Sequence, residues 1–335
     1  MVKVAVDGMG GDHAPEVVVE GALLAVREYQ DLEVVLVGRR DLLTRELSKA
    51  EPHPRIYIHH AAEVVEMAES AAKSVRKKRD ASIIVAADLV RQKAAEAVVS
   101  AGHTGASVVA TTLSWGLLEG IDKPGIAIAY PTLSGASVLI DIGANIDAKP
   151  EHLLQYAIMG SIFANVILRK EAPRVGLLNI GEEESKGPDF MKETHRLLGG
   201  SPLNFIGNVE GRELFLGNVD VIVCDGFVGN IVLKVTESLA ENTNILLRRE
   251  LRGGMLSRVG GLLIKSSLSR LKKRLDYAEF GGAPLLGVNG ICMIGHGSSS
   301  AKAIKNAIRV AKEFVKNNVN EQIQTILHTK QGNNH

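Results

Sequence analysis

The chain has 335 residues, of which 45% are apolar and 23% charged, and its formal net charge is +1. This composition is typical of a soluble globular protein and excludes a disordered or fibrous chain, and the small net charge gives no reason to expect nucleic acid as a partner. Because a single core stops growing at roughly 250 to 300 residues, the length favours two lobes with a cleft between them. No apolar run of about 20 residues predicts a membrane span, and the opening run is too short for a signal peptide, so we expect a cytoplasmic protein.

Short runs of β-branched residues alternate with helical patterns along the chain. The predicted strands are 2–6, 33–37, 55–59, 97–100, 138–142, 175–179 and 219–224. Their continuous apolar character is that of strands buried on both faces, so the pattern predicts an α/β fold built of βα units around a mostly parallel sheet. Segment 151–168 follows Pro150, has apolar residues at helical spacing and is predicted to be a core helix.

Six glycine-rich segments follow predicted strands. They are 7–15, 100–107, 141–145, 179–187, 225–230 and a last cluster formed by 281–287 with 295–300. None has the G-x-G-x-x-G or G-x-x-x-x-G-K-[ST] spacing of nucleotide sites. Because ligands gather at the carboxyl ends of parallel strands, we expect these turns to surround a small anion with backbone N–H groups.

The sequence offers no evident protein nucleophile. There is no G-x-S-x-G elbow, and Cys224 and Cys292 lie in apolar runs without metal-site or redox spacing, so we expect buried, inert thiols and no metal site. An acyl transfer in which phosphate itself attacks a thioester needs only a held phosphate, donors for the oxyanion and a proton source.

Loop placement supplies the candidate residues for such a site. The predicted catalytic residues are Lys186, His13, Asn230 and His296. The predicted substrate or phosphate contacts are Asp7, Gly10, Gly11, Asp12, His103, Thr104, Gly105, Asn145, Gly229 and Ser298. Structural alternatives stay open: a loop histidine can be purely structural, Lys186 can pair with the neighbouring glutamates, and Asn230 can be a helix cap.

The motifs at these turns resemble those of the phosphate acyltransferases of bacterial phospholipid synthesis. The resemblance rests on D-G-M-G-G-D-H-A-P from Asp7, S-A-G-H-T-G-A from Ser100, D-I-G-A-N from Asp141, L-L-N-I-G-E-E-E-S-K-G from Leu177, D-G-F-V-G-N from Asp225 and G-G-A-P-L-L-G-V-N-G from Gly281. One departure is His103, which stands where the family pattern has Asn.

The resemblance implies transfer of a long-chain fatty acyl group from acyl carrier protein to inorganic phosphate. It further implies a fold similar to phosphotransacetylase and isopropylmalate dehydrogenase, a homodimer, no metal or nucleotide cofactor, and delivery of the acyl phosphate to a membrane glycerol-3-phosphate acyltransferase. We expect residues 1–130 with 281–330 to form one lobe and 131–280 the other. Two alternatives are a metal- and NAD-dependent dehydrogenase of the isopropylmalate type and a non-catalytic membrane scaffold.

Segment 246–276 concentrates positive charge. It carries nine Lys or Arg residues against two acidic ones, whereas the remaining chain is net negative. The predicted contact residues are Leu251, Met255, Leu256, Val259, Leu262, Leu263 and Arg258. Apolar residues at near-helical spacing, interrupted by glycine pairs and bordered by basic residues, predict a projecting helical hairpin. We expect it to contact the inner face of the cell membrane, with carrier-protein docking and packing against a dimer partner as alternatives.

Overall fold

The computed structural model describes residues 1–251, 254, 260, 263–266, 268 and 281–332, with side chains described except at 244 and 329–332. Over these residues the chain forms a large mixed sheet flanked by helices on both faces. The α/β architecture predicted from the alternating pattern is confirmed.

The strands of the described residues form one sheet. They are β1 (Val2–Asp7), β2 (Leu32–Gly38), β3 (Ile56–His60), β4 (Ala97–Ser100), β5 (Gly125–Thr132), β6 (Gly135–Ile140), β7 (Arg174–Leu178), β8 (Asn204–Val209), β9 (Val221–Val223), β10 (Ala283–Leu286) and β11 (Ile291–Ile294). Their order is β3-β2-β1-β4-β11-β10-β5-β6-β9-β7-β8. All seven strands expected from the sequence are present, and β5, β8, β10 and β11 are additional.

Helices cover both faces of this sheet. They are α1 (Glu16–Glu28), α2 (Arg40–Leu47), α3 (Ala71–Lys77), α4 (Ser82–Arg91), α5 (Thr104–Trp115), α6 (Pro150–Leu168), α7 (Asp189–Gly199), α8 (Glu213–Leu216), α9 (Gly226–Glu250), α10 (Ala301–Lys316) and α11 (Val319–Gly332). One core cluster lies under α1, α6 and α10, and the other lies under α4 and α5. Helix α6 is buried along most of its length, so the core helix expected at 151–168 is confirmed.

Strand direction reverses inside the sheet. Strands β1, β4 and β11 run parallel, β10 is antiparallel to both β11 and β5, and β5 forms an antiparallel hairpin with β6. Strands β6, β9, β7 and β8 are again parallel to one another. The carboxyl ends of β1, β4 and β11 therefore lie at one end of the sheet along the strand direction, and those of β6, β9 and β7 lie at the opposite end. The division into lobes at 130 and 281 stays a prediction.

Candidate active site

Two of the predicted glycine segments, 7–15 and 100–107, meet the 295–300 part of the last cluster at the ends of β1, β4 and β11. We call these three turns the first loop group. The Asp12 N–H donates to the Gly297 carbonyl at 2.8 Å. A Cβ at Gly10 would lie 2.7 Å from the Gly102 nitrogen, so only glycine permits this approach. Asp7, Gly10, Gly11 and Asp12 are therefore brought together with the other two turns.

Asp7 holds the first loop group from beneath. Its side chain is buried and accepts hydrogen bonds from Ser100 Oγ at 2.8 Å and from the Met9 N–H at 3.2 Å. Ser100 Oγ in turn accepts from the Gly102 N–H at 3.1 Å. Burial raises the pKa of Asp7, although hydrogen bonds from the Ser82 and Ser100 hydroxyls oppose the shift. The Asp7 side chain therefore ties two turns together, and its predicted contact with phosphate stays a prediction.

His103 caps the helix that follows its turn. Its Nδ1 accepts from the Ala106 N–H at 3.3 Å, and its Nε2 lies 3.0 Å from the Glu69 carbonyl. Because a carbonyl can only accept, we assign the ring proton to Nε2. Both nitrogens are thus engaged, which favours the structural alternative for His103. Thr104 and Gly105 form the first turn of α5 beside it.

His13, His296 and Ser298 lie on the outer side of the first loop group. His13 is exposed and borders a shallow pocket whose wall includes Gly10, Gly11 and Gly297. His296 is also exposed, and its Nδ1 lies 2.8 Å from Ser298 Oγ. The His296 and Ser298 side chains are bonded to each other, whereas His13 borders the pocket.

The other three turns, 141–145, 179–187 and 225–230, follow β6, β7 and β9; we call them the second loop group. Asp141 is fully buried at its centre. Its Oδ1 accepts from the N–H groups of Ile126, Gly143 and Ala144 at 3.0, 3.0 and 2.9 Å, and its Oδ2 accepts from Asn145 at 2.8 Å. Burial raises the pKa of Asp141, and these four bonds oppose the shift.

Backbone contacts lock the turns after β6 and β9 together. The Gly226 N–H donates to the Asn145 carbonyl at 3.0 Å. A Cβ at Gly229 would lie 1.9 Å from the Asp141 carbonyl oxygen. At Gly143, where φ is +133°, a Cβ would lie 2.9 Å from the Asn230 Nδ2, so this glycine leaves room for the Asn230 amide. The structure thus brings Asn145, Gly229 and Asn230 together.

Lys186 lies on the neighbouring turn. Strand β7 pairs with β9 in parallel register, so the turns after them leave the sheet side by side. The Asn179 side-chain amide donates to the Lys186 carbonyl at 3.1 Å, which closes the turn. Glu182 pairs with Arg212 at 2.6 Å. Over the part of the chain that the structure describes, the Lys186 ammonium has no ion-pair partner, so the structural alternative of pairing with the adjacent glutamates is not favoured.

The two loop groups are separate sets of contacts. Across the described residues, no hydrogen bond or ion pair joins one group to the other. The sequence predicts one wall of backbone donors around a single anion, and the structure differs from this prediction in two respects. The reversal at the β5–β6 hairpin divides the turns between two edges, and several turn amides already bind Asp141 or, at the start of α9, the Asp225 carboxylate.

Asp141 and Ser100 are not among the site residues predicted from the sequence. Both directly follow or end a strand within a glycine-rich motif, which is the signal that could have identified them as clamps of the turns. The expectation of buried thiols at Cys224 and Cys292 is confirmed. Burial raises the pKa of Cys292 to about 12, so this thiol is protonated at neutral pH.

Little of the basic segment falls within the described residues. Met255, Leu256, Val259, Leu262 and Arg258 lie outside them. Leu251 is half-buried just after α9, and Leu263 is 79% exposed. Among the described helices, none combines the length and apolar character needed to cross a bilayer.

Comparison with known sequences identifies close relatives. The model of the family described as "Fatty acid synthesis protein" matches residues 2–322. A phosphate acyltransferase of Desulfitobacterium hafniense (strain DSM 10664 / DCB-2) is 53% identical over 324 residues, which cover 96% of this chain and 97% of that protein. A phosphate acyltransferase of Geobacter sulfurreducens is 49% identical over 330 residues, covering 98% and 95% of the two chains.

Solved structures share the fold. A phosphotransacetylase from Streptococcus pyogenes superimposes with a TM-score of 0.66 at 19% identity, covering 94% of each chain. A 4-hydroxythreonine-4-phosphate dehydrogenase from Klebsiella pneumoniae gives a TM-score of 0.51 at 14% identity, covering 94% of this chain and all of that one. The expected similarity to the phosphotransacetylase fold is confirmed, and at these identities the likeness concerns the fold alone.

Proposed function

The chain belongs to the phosphate acyltransferase family, and from this premise we propose that it transfers a fatty acyl group from acyl carrier protein to inorganic phosphate, within fatty acid and phospholipid synthesis. The names of its relatives favour this reaction over the dehydrogenase and scaffold alternatives. The product is an acyl phosphate, and we propose that a membrane glycerol-3-phosphate acyltransferase consumes it.

We place the chemistry at the second loop group. One observation supports this choice above the others. The Lys186 ammonium has no ion-pair partner among the described residues, and it lies on a turn adjacent to the turn that carries Asn230. A phosphate needs a cation that is not already neutralised, and a tetrahedral oxyanion needs a fixed neutral donor. Asp141 clamps the turn at Gly143, which borders this donor.

The proposed reaction is an addition followed by an elimination. A phosphate oxygen attacks the thioester carbonyl carbon, and the carbonyl oxygen becomes an oxyanion. Collapse of this intermediate breaks the carbon–sulfur bond, and the carrier sulfur leaves as a thiol with the proton that the attacking hydrogen phosphate gives up. Lys186 orients the attacking phosphate, and the Asn230 amide donates to the oxyanion. His13 and His296 lie on the first loop group, and their role as proton donor stays a prediction.

The test uses paired variants of the full chain. Acyl-carrier thioester and phosphate are supplied, and phosphate-dependent thiol release is measured together with acyl phosphate. Lys186→Ala and Asn230→Ala are each expected to lower kcat/KM by about 10²-fold or more, because removal of an oxyanion donor has effects of this size elsewhere. Activity within about twofold of wild type in both variants would contradict the assignment to these residues.

Matched controls separate this loss from general damage. Lys192→Ala removes another exposed lysine, which among the described residues forms an ion pair with Asp189 on its own helix, and Asn218→Ala removes a surface amide. Both controls are expected to keep wild-type kinetics. His13→Ala and His296→Ala, measured in the same assay, test the two histidines of the first loop group.

We further propose that the protein is a homodimer that associates peripherally with the inner face of the cell membrane through segment 246–276. The excess of basic residues there supports this, since each Lys or Arg near an anionic surface contributes roughly 1 kcal/mol. Leu263 and Ile264 are exposed within the same segment. Leu263→Glu is expected to reduce co-sedimentation with anionic vesicles, whereas Leu133→Glu on the β5–β6 turn is not. Equal co-sedimentation of both variants would exclude this membrane contact, and sedimentation velocity would report the dimer.

A further inference from the structure

Helix α3 presents a row of positive charge to solvent. Segment 73–79 holds five basic residues and no acidic one. Lys73, Arg76 and Lys77 are exposed, and their i, i+3, i+4 spacing places them on one side of the helix. Val75 is buried on the other side, in the core cluster under α4 and α5. We call the exposed side the basic face of α3.

Most of these cations are not neutralised within the chain. Four of the five have no ion-pair partner among the described residues, and all four are exposed: Lys73, Arg76, Lys77 and Arg79. The fifth, Lys78, pairs with Glu69 at 2.7 Å. Glu69 and Asp80 are the nearest acidic residues in sequence on either side, and the Asp80 carboxylate accepts a hydrogen bond from the Ala62 N–H at 2.8 Å. The four unpaired side chains are therefore available to a partner.

The basic face of α3 borders the first loop group. The His103 Nε2 donates to the Glu69 carbonyl at 3.0 Å, two residues before the helix begins. A Cβ at Gly105 would lie 3.1 Å from the Ala71 Cβ, so the start of α3 lies against the start of α5. A partner bound to this face would therefore lie beside the turns of the first loop group.

We propose that the basic face of α3, together with Arg79, binds the protein body of the acyl carrier. This inference rests on the proposed function, which makes the carrier a substrate. Acyl carrier proteins are strongly acidic, so four unpaired cations complement them in charge, and such complementarity speeds encounter and fixes orientation. The thioester lies at the end of the carrier's long prosthetic arm, so the carrier body binds at a distance from the reacting carbonyl. The docking face and the second loop group can therefore be separate surfaces of one enzyme.

The experiment compares two octanoyl thioesters on the full chain. One is carried by the acyl carrier protein, and the other by free pantetheine, which has the thiol end of the arm but no protein body. Arg76→Glu/Lys77→Glu is expected to raise KM for the carrier thioester by about tenfold or more, with kcat within about twofold of wild type. Its kcat/KM for the pantetheine thioester should stay within about twofold of wild type, since the reacting centre is untouched.

A matched control and a salt series sharpen this test. Arg45→Glu/Lys192→Glu makes the same change in net charge at exposed positions of α2 and α7, and it is expected to leave KM for the carrier within about twofold of wild type. In wild-type protein KM for the carrier should rise with salt concentration, because salt screens exposed charges. In Arg76→Glu/Lys77→Glu this rise should be lost.

Three outcomes would overturn docking on α3. The first is an equal loss for both thioesters, which would indicate damage to the reacting centre. The second is an unchanged KM for the carrier. The third is a loss of co-sedimentation with phosphatidylglycerol vesicles while KM for the carrier stays constant, since the face would then bind anionic lipid. Fluorescence anisotropy of labelled carrier measures docking without turnover. Wild-type protein that binds the carrier through α3 but releases no thiol would therefore refute the proposed function and leave the docking face standing.

Discussion

Asp141 is the residue whose replacement tests the second loop group most directly. In Asp141→Asn, the remaining oxygen can keep the three bonds from Ile126, Gly143 and Ala144, but only as neutral bonds. The new NH₂ group would face the Asn145 N–H at the present 2.8 Å, and two donors cannot bond each other. The substitution therefore weakens three hydrogen bonds and abolishes one.

The magnitude follows from these contacts. Charge-assisted bonds contribute about 1.5 to 3 kcal/mol and neutral ones about 0.5 to 1.5 kcal/mol, so the three retained bonds lose roughly 3 kcal/mol together. The unsatisfied Asn145 N–H costs a further 1 to 3 kcal/mol, roughly. The substitution also removes the cost of burying a charge, which is the cause of the raised pKa of Asp141, and this gain offsets part of the lost hydrogen-bond energy. We expect a net loss of about 2 to 4 kcal/mol in the free energy of unfolding.

Urea unfolding measures the stability change, and steady-state acyl transfer measures its consequence. Because the clamped turn contains Gly143, which borders the Asn230 amide, kcat is expected to fall by about tenfold or more at temperatures where the variant is fully folded. Asp220→Asn is the matched control: Asp220 is also buried but pairs with Arg174 and Lys170 at the opposite ends of β7 and β9. It should destabilise the fold while kcat stays unchanged. An Asp141→Asn protein within about 0.5 kcal/mol of wild type would refute the clamp.

Three further predictions concern single contacts. Gly229→Ala forces a methyl group against the Asp141 carbonyl and is expected to destabilise the protein by about 2 kcal/mol or more in urea unfolding. The control Gly199→Ala places its methyl group in open space and should stabilise the protein by up to about 1 kcal/mol. Equal changes in the two variants would contradict the close packing at Gly229. His103→Ala should lower the free energy of unfolding by about 1 kcal/mol because the helix cap is lost, and His103→Asn should keep most of that stability. A similar loss in both variants would show that His103 does not stabilise the protein as a helix cap. Burial raises the pKa of Asp220, but hydrogen bonds from Arg174 and Lys170 outweigh it and leave the pKa below its usual 3.8. The unfolding free energy lost in Asp220→Asn should therefore reach its full value above about pH 5 and should shrink as the pH falls below that value. A loss that stays constant down to low pH would contradict the lowered pKa of Asp220.

Local sequence patterns predicted the strands and the helix that are buried on both sides. Strands such as β1 and β4 are short apolar runs that end in Asp or Ser, and their period and length are sufficient to identify them. The same holds for α6, whose apolar spacing and N-terminal proline mark both its type and its start. His103 illustrates the limit: the sequence places it at a turn, but only the Glu69 carbonyl, 34 residues away, shows that its second nitrogen is engaged.

The division of the glycine turns depended on strands that the local pattern did not reveal. Strand β5 contains Pro131, which weakens its strand signal, while β10 and β11 come from the far end of the chain and insert between β4 and β5. Yet two apolar runs separated by Leu133 and Ser134, with Gly135 at φ +137°, are the spacing of a tight hairpin. A hairpin makes β6 antiparallel to β5, and every strand parallel to β6 then delivers its turn to the opposite edge. Direction, rather than the number of glycine turns, therefore decides which side chains can act on one substrate, and it places Lys186 with Asn230 and apart from His13.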